Sequence, residues 1–110
     1  MILAAKELKN IGFVIRLKES WKQYEYVKKA NLSNVYLKNF VPQKELLNDK
    51  RIFAFISHGG GNSIIESLYY GKPLIGFPIS ADQQGTCYRV ELLGVGISLQ
   101  GNFLESNFID

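Results

Sequence analysis

The chain has 110 residues, 46% of them hydrophobic, which is enough for one compact domain with a modest core and too apolar for a disordered segment. Its net charge of +3 comes from scattered Lys and Arg residues, adjacent only at Lys28-Lys29 and Lys50-Arg51, so a nucleic-acid-binding stripe is not expected. The single Cys87 excludes an internal disulfide, and no stretch approaches the roughly 18 apolar residues that span a bilayer.

Residues 1–10 place Ile2, Leu3, Ala5 and Leu8 on one helical face, while Lys6, Glu7 and Lys9 rule out a signal-peptide core. An α/β domain rarely opens inside a helix, so an N-terminal portion is expected to be missing. Residues 11–17 read as a buried strand. Ser20 with Gln23 fits a capping box opening a helix to about Ala30, with Trp21, Tyr24 and Val27 as its apolar face. Residues 34–37 form a short strand, and Pro42 suits the first position of a short helix carrying Leu46 and Leu47. Residues 52–57 read as the central strand, and a helix from Gly61 to about Tyr70 is stopped by Gly71 and Pro73. Residues 74–77 form a strand ended by Pro78, Asp82 to about Leu93 a helix closed by Gly94, and residues 95–99 a last strand. Another helix is expected to begin within 102–110.

Strands thus alternate with helices over short connections. The pattern predicts an α/β fold, a Rossmann-like parallel sheet with right-handed crossovers and helices on both faces. With no repeat, linker or low-complexity segment, residues 1–110 read as one domain.

The stretch His58-Gly59-Gly60-Gly61-Asn62-Ser63 falls between the central strand and its helix. A helix start offers unpaired N–H groups and the positive end of the macrodipole, and glycines admit an anion closely. His58 can donate to such an anion, and Glu66, one turn on, can accept from a sugar diol. Glycine turns of this kind also occur in α/β proteins that bind nothing, and Glu66 alone would pass for a solvent-facing helix residue. Asp82-Gln83 tips the balance, because it follows another strand and so can reach the same sheet edge. The combination reads as a nucleotide-sugar site. A dinucleotide oxidoreductase is disfavoured, since its Gly-x-Gly-x-x-Gly spacing is absent from Gly59-Gly60-Gly61.

Phe40-Val41-Pro42-Gln43, His58-Gly59-Gly60 with Asn62-Ser63 and Glu66, Gly71-Lys72-Pro73, Pro78 and Asp82-Gln83 together resemble the signature of UDP-glycosyltransferases. The match runs from about Ile11 to Leu99. It implies most of the C-terminal, donor-binding half of a two-domain GT-B enzyme, with the N-terminal acceptor domain absent. By that resemblance Phe40 stacks on the uracil in place of the usual tryptophan, and Val41 and Gln43 contact the base and nucleoside. His58, Gly61, Asn62 and Ser63 hold the diphosphate, Glu66 the ribose hydroxyls, and Asp82 with Gln83 the donor sugar. Phe40 is a smaller aromatic face than tryptophan, and Thr86 stands where asparagine is usual.

The function so implied is transfer of a hexosyl group from a UDP-sugar to the hydroxyl of a small lipophilic acceptor. No metal or other cofactor is expected. The general base is usually a histidine of the N-terminal half; here His58, the only histidine, is matched to phosphate contact, so no catalytic residue is assigned and this chain alone is not expected to turn over. Two alternatives stay open: an obligate donor-binding subunit that pairs with a separate N-terminal half, and a non-catalytic nucleotide-binding remnant. The sequence leaves the compartment, the donor sugar and the acceptor open, with the cytoplasm favoured.

Overall fold

The computed structural model describes residues 1–99. Helices and strands alternate along them: α1 (Ile2–Glu7), β1 (Phe13–Arg16), α2 (Lys22–Ala30), β2 (Val35–Lys38), α3 (Gln43–Asn48), β3 (Phe55–Ser57), α4 (Gly61–Tyr69), β4 (Leu74–Gly76), α5 (Ala81–Leu92) and β5 (Gly96–Ser98). Every strand pair is parallel, β1 with β2 and then β3-β4-β5 in that order, so the α/β class expected from the sequence is the one observed. The chain divides into two compact units, one over Met1–Val41 and one beginning at Pro42. The helix expected over 102–110 lies outside the described residues.

In the first unit β1 and β2 align Ile15 with Leu37, and Ile15 packs as core together with Ile2 and Ala5 of α1. Asn34 joins these pieces. Its side-chain amide donates to the carbonyls of Ala5 (2.9 Å), Leu8 (3.1 Å) and Ile11 (3.0 Å), at the end of α1 and in the segment after it. Its own carbonyl accepts from Phe13 N at 2.8 Å, the first rung of the ladder.

One expected feature of this unit is different. α2 starts at Lys22 with Trp21 as its N-cap, and no side chain caps it, so the Ser20/Gln23 capping box does not form. The approach to the helix is taken up by other bonds: Glu19 N donates to Asn39 Oδ1 at 3.2 Å, and Trp21 N to the Lys18 carbonyl at 3.0 Å. Tyr24 and Val27 are half-buried as expected, but Trp21 is 48% exposed, with the Lys18 ammonium 5.8 Å from its ring centre.

The second unit builds a small core from Leu47, Leu74, Cys87 and Val90, with Ser67 buried among the polar groups. Its central strand is shorter than the apolar run 52–57 implied, because Ile52 closes a turn onto Asp49 (3.1 Å) before β3 begins at Phe55. β4 and β5 run close together, since a side chain at Gly96 would collide with the Leu74 carbonyl.

The turn Gly71-Lys72-Pro73 ties this unit together. α4 ends with Gly71 at φ +67°, a conformation that costs glycine nothing. Lys72 N then donates to the Ser67 carbonyl (2.9 Å), and Ser67 Oγ returns a bond to the Lys72 carbonyl (2.5 Å). The Lys72 ammonium reaches across to the carbonyls of Ile52 (2.6 Å) and Asp49 (3.0 Å), and the Pro73 carbonyl accepts from Phe55 N (2.9 Å). One lysine thereby fixes the connection leading from α3 into β3.

Lys72→Met keeps the apolar stem but leaves those two carbonyls without their charged donor. It should lower unfolding stability by about 1.5–3 kcal/mol, the range for hydrogen bonds to a charged group. Urea denaturation checks this, and an unchanged midpoint would show that water replaces the ammonium at no cost.

Candidate functional site

The end of β3 delivers His58 and the glycine turn to the start of α4. Gly59 has φ +90°, and a side chain there would strike the Cys87 sulfur, so both conformation and space demand glycine. The Gly59 N–H donates to Ser57 Oγ (3.2 Å), and its carbonyl accepts from Thr86 Oγ1 (2.8 Å). The exposed His58 ring lies close over Gly60, where a Cβ would come within 2.8 Å of Nε2.

Gly60 is the N-cap of α4 and no side chain caps the helix. The first bond of the helix runs from Ile64 N to the Gly60 carbonyl (3.1 Å), so the N–H groups of Gly61, Asn62 and Ser63 have no acceptor among the described residues. Nothing lies within 4 Å of the position a Gly61 side chain would take. Three free amides at the positive end of a nine-residue helix are donors of the kind that suit an anion.

Glu66 lies one turn along the same helix and is half-buried. Its Oε2 accepts from Gln43 Nε2 at 2.6 Å, joining the first residue of α3 to α4. The carboxylate is thereby held with Oε1 left to accept from another donor. Both residues were picked out in the sequence; their bond to each other was not.

At the third point Pro78 is buried after β4, and Ser80 is the N-cap of α5. Gln83, three residues on, accepts through Oε1 from Ile79 N (2.9 Å) and Ser80 N (3.2 Å), and forms a capping box with Ser80. Ser80 Oγ also donates to Asp82 Oδ1 at 2.5 Å. That hydroxyl, aided by backbone N–H groups at the helix start, holds the exposed Asp82 carboxyl below the ordinary carboxylate range. The pair is therefore polarised: Gln83 retains its Nε2 donors and Asp82 its Oδ2 acceptor.

Thr86 and Cys87 set α5 against the turn. Thr86 Oγ1 also lies 3.0 Å from the Gln83 carbonyl, and the fully buried Cys87 thiol sits 3.8 Å from the His58 carbonyl. Burial pushes that thiol's pKa up and keeps it protonated. The packing role of Cys87 was not read from the sequence. Its signal was the coincidence of glycines at 59 and 76 with a small residue nearly two turns into the next helix.

In the first unit Phe40 is 74% exposed and Val41 half-buried. Phe40 borders an open hollow of about 450 Å³ with Arg16, Lys18, Glu19, Ser20 and Asn39. Among the described residues no helix is long and apolar enough to cross a membrane, and no three His, Cys, Asp or Glu side chains cluster as metal ligands.

The family model for UDP-glucoronosyl and UDP-glucosyl transferase matches residues 5–109. The 2-hydroxyacylsphingosine 1-beta-galactosyltransferase of Rattus norvegicus is 42% identical over 81 residues, which is 73% of this chain and 15% of that protein. Among solved structures, the glycotransferase of kitacinnamycin superposes with a TM-score of 0.76 at 26% identity, over 90% of this chain and 24% of that one. Os79 from O. sativa, solved in complex with UDP and deoxynivalenol-3-glucoside, gives 0.73 at 28% identity, over 91% and 25%. The chain thus spans about 15% of the length of the curated relative it matches.

The Asp82 carboxyl should titrate below the ordinary value of 3.8, and Ser80→Ala should move its midpoint up. Because the folded pKa is depressed, the associated stabilisation is full above the unfolded value and fades as pH falls through the folded one. Carboxyl-carbon NMR across an acid titration reads this directly. Coincident midpoints in the two proteins would remove Ser80 as the cause.

Proposed function

The chain belongs to the UDP-glucuronosyl and UDP-glucosyl transferase family, and from that premise we propose that it is the UDP-sugar-binding part of a glycosyltransferase. The complete enzyme would transfer a hexosyl group to the hydroxyl of a small lipophilic acceptor, with inversion. The observation that carries the reading is the open amide turn at Gly61, Asn62 and Ser63 with the Gln43-held Glu66 carboxylate one turn away. A diphosphate needs clustered donors, and a ribose diol needs an acceptor beside them. This helix supplies both.

In this proposal His58 and the α4 amides receive the diphosphate, Glu66 accepts from the ribose hydroxyls, and Phe40, Val41 and Gln43 serve the uridine. Asp82 would accept from one hydroxyl of the donor sugar and Gln83 Nε2 would donate to another. Asp82, held ionised by Ser80, stays an acceptor across the physiological range. Neither group requires a particular hexose, which fits a family whose description names both glucuronosyl and glucosyl donors.

Transfer further requires a base on the acceptor hydroxyl and a pocket that aligns it with the sugar. The one histidine is committed to the diphosphate in this reading, so those parts would come from the N-terminal half, fused or separate. The chain alone would bind UDP without turning over a UDP-sugar.

Two substitutions test the binding proposal on the full chain by calorimetric titration with UDP. Glu66→Ala should weaken binding by about 1.5–3 kcal/mol and Glu66→Gln by less; equal affinity in Glu66→Ala would take Glu66 out of the site. Phe40→Ala should lose about 1–3 kcal/mol, as for a base stacked on an aromatic ring, while Phe40→Trp should match or exceed the parent. Parent-like affinity in both Phe40 variants would make that ring a packing residue.

A further inference from the structure

Thr86 stands where the resembled family usually has asparagine, and its surroundings say what the hydroxyl does instead. Oγ1 lies 2.8 Å from the Gly59 carbonyl oxygen and 3.0 Å from that of Gln83. A hydroxyl has one proton to give, so these two carbonyls compete for it. The bond to Gln83 would be internal to α5. The bond to Gly59 spans 27 residues and fastens α5 to the turn before α4. Beneath it the Cys87 sulfur fills the space that side chains at Gly59 or Gly76 would take, so the turn has no slack on that side.

The pinned carbonyl belongs to the residue with φ +90°. In a planar trans peptide the C=O and the following N–H point in opposite directions. Fixing the Gly59 oxygen toward α5 therefore fixes the Gly60 N–H away from it, and with it the lead into the open amides of α4. Released from Thr86, the peptide between Gly59 and Gly60 can rotate, since neither residue has a side chain to oppose it.

Building on the donor-site reading above, we infer that Thr86 is a positioning residue for the diphosphate: by holding the Gly59 carbonyl it aims the amide turn, without touching the ligand itself. Its single proton is committed to the protein, so it has none to give to the diphosphate. The consequence is specific. Loss of the hydroxyl should weaken ligands that carry a diphosphate and spare the nucleoside alone.

The test uses the full chain and two probes, UDP by calorimetry and uridine by amide NMR titration. Thr86→Val keeps the side-chain shape without the hydroxyl and should weaken UDP roughly two- to tenfold, the range of one neutral hydrogen bond, while leaving uridine unchanged. Thr86→Ser should recover parent affinity for UDP. Equal losses for UDP and uridine, no loss for either, or a serine variant as weak as valine would each overturn the inference. Should Thr86→Val fail to fold, the same UDP-against-uridine comparison on Thr86→Ala decides. A parent chain that binds neither probe overturns the donor-site reading and this inference with it; a parent that binds both, with no UDP-specific loss on mutation, overturns this inference alone.

Discussion

The absence of side chains at Gly59 and Gly76 is the constraint on which the second unit depends. A Cβ at Gly76 would come within 2.5 Å of the Cys87 sulfur, and one at Gly59 would collide with it outright. Because both positions are bare, α5 lies directly against the carboxyl ends of β3 and β4, with Cys87 fully buried at the contact. Close-packed interiors do not absorb an added methyl group without shifting the elements around it. Any larger residue at either glycine would lift α5 and carry its first turn, with Asp82 and Gln83, away from the turn that opens α4. Site geometry and core packing are here one requirement.

The remaining ties explain how so small a core holds functional groups in place. Gln43 binds Glu66, Lys72 binds the connection between α3 and β3, and Thr86 binds the glycine turn. Each is a polar side chain reaching across elements to a group that would otherwise lack a partner, and such groups are costly when half-buried and unpaired. The polar network does positioning that a thicker apolar layer does in larger domains.

Alternation of strands and helices was legible in the sequence because apolar spacing and glycine or proline stops are local signals. The place of the glycine turn between β3 and α4 was legible for the same reason. The pattern Ser-x-x-Gln shows where local reading ends. It occurs at Ser20 and at Ser80, yet only Gln83 makes its capping contact, because Glu19 is bonded to Asn39 and the helix after Ser20 starts later. The apolar run 52–57 overstated its strand because the Lys72 ammonium, twenty residues away in sequence, holds Ile52 in a turn. Contacts such as Gln43 to Glu66 and Thr86 to Gly59 span more than twenty residues, and no periodicity announces them.

In the proposed donor site the donors at the start of α4 are backbone groups, and the chain's charge is distributed away from them. Eight basic and three acidic side chains precede Pro42, so the first unit holds the positive excess of the chain. In the second unit the Lys72 ammonium is spent on two carbonyls and Arg51 on the Asp49 carboxylate, which it holds far below the ordinary carboxylate range. Both cations are thus engaged within the unit, which also carries Lys44, Lys50 and Arg89. The donors that Gly61, Asn62 and Ser63 offer are amide dipoles fixed by the helix, which would need no reorganisation to meet an anion. Donors of that kind hold a phosphate only as well as their direction is fixed. A long lysine can follow a displaced oxygen and a peptide N–H cannot. In the proposed site the direction of those amides would therefore depend on the glycine turn, which the Thr86 hydroxyl ties to α5.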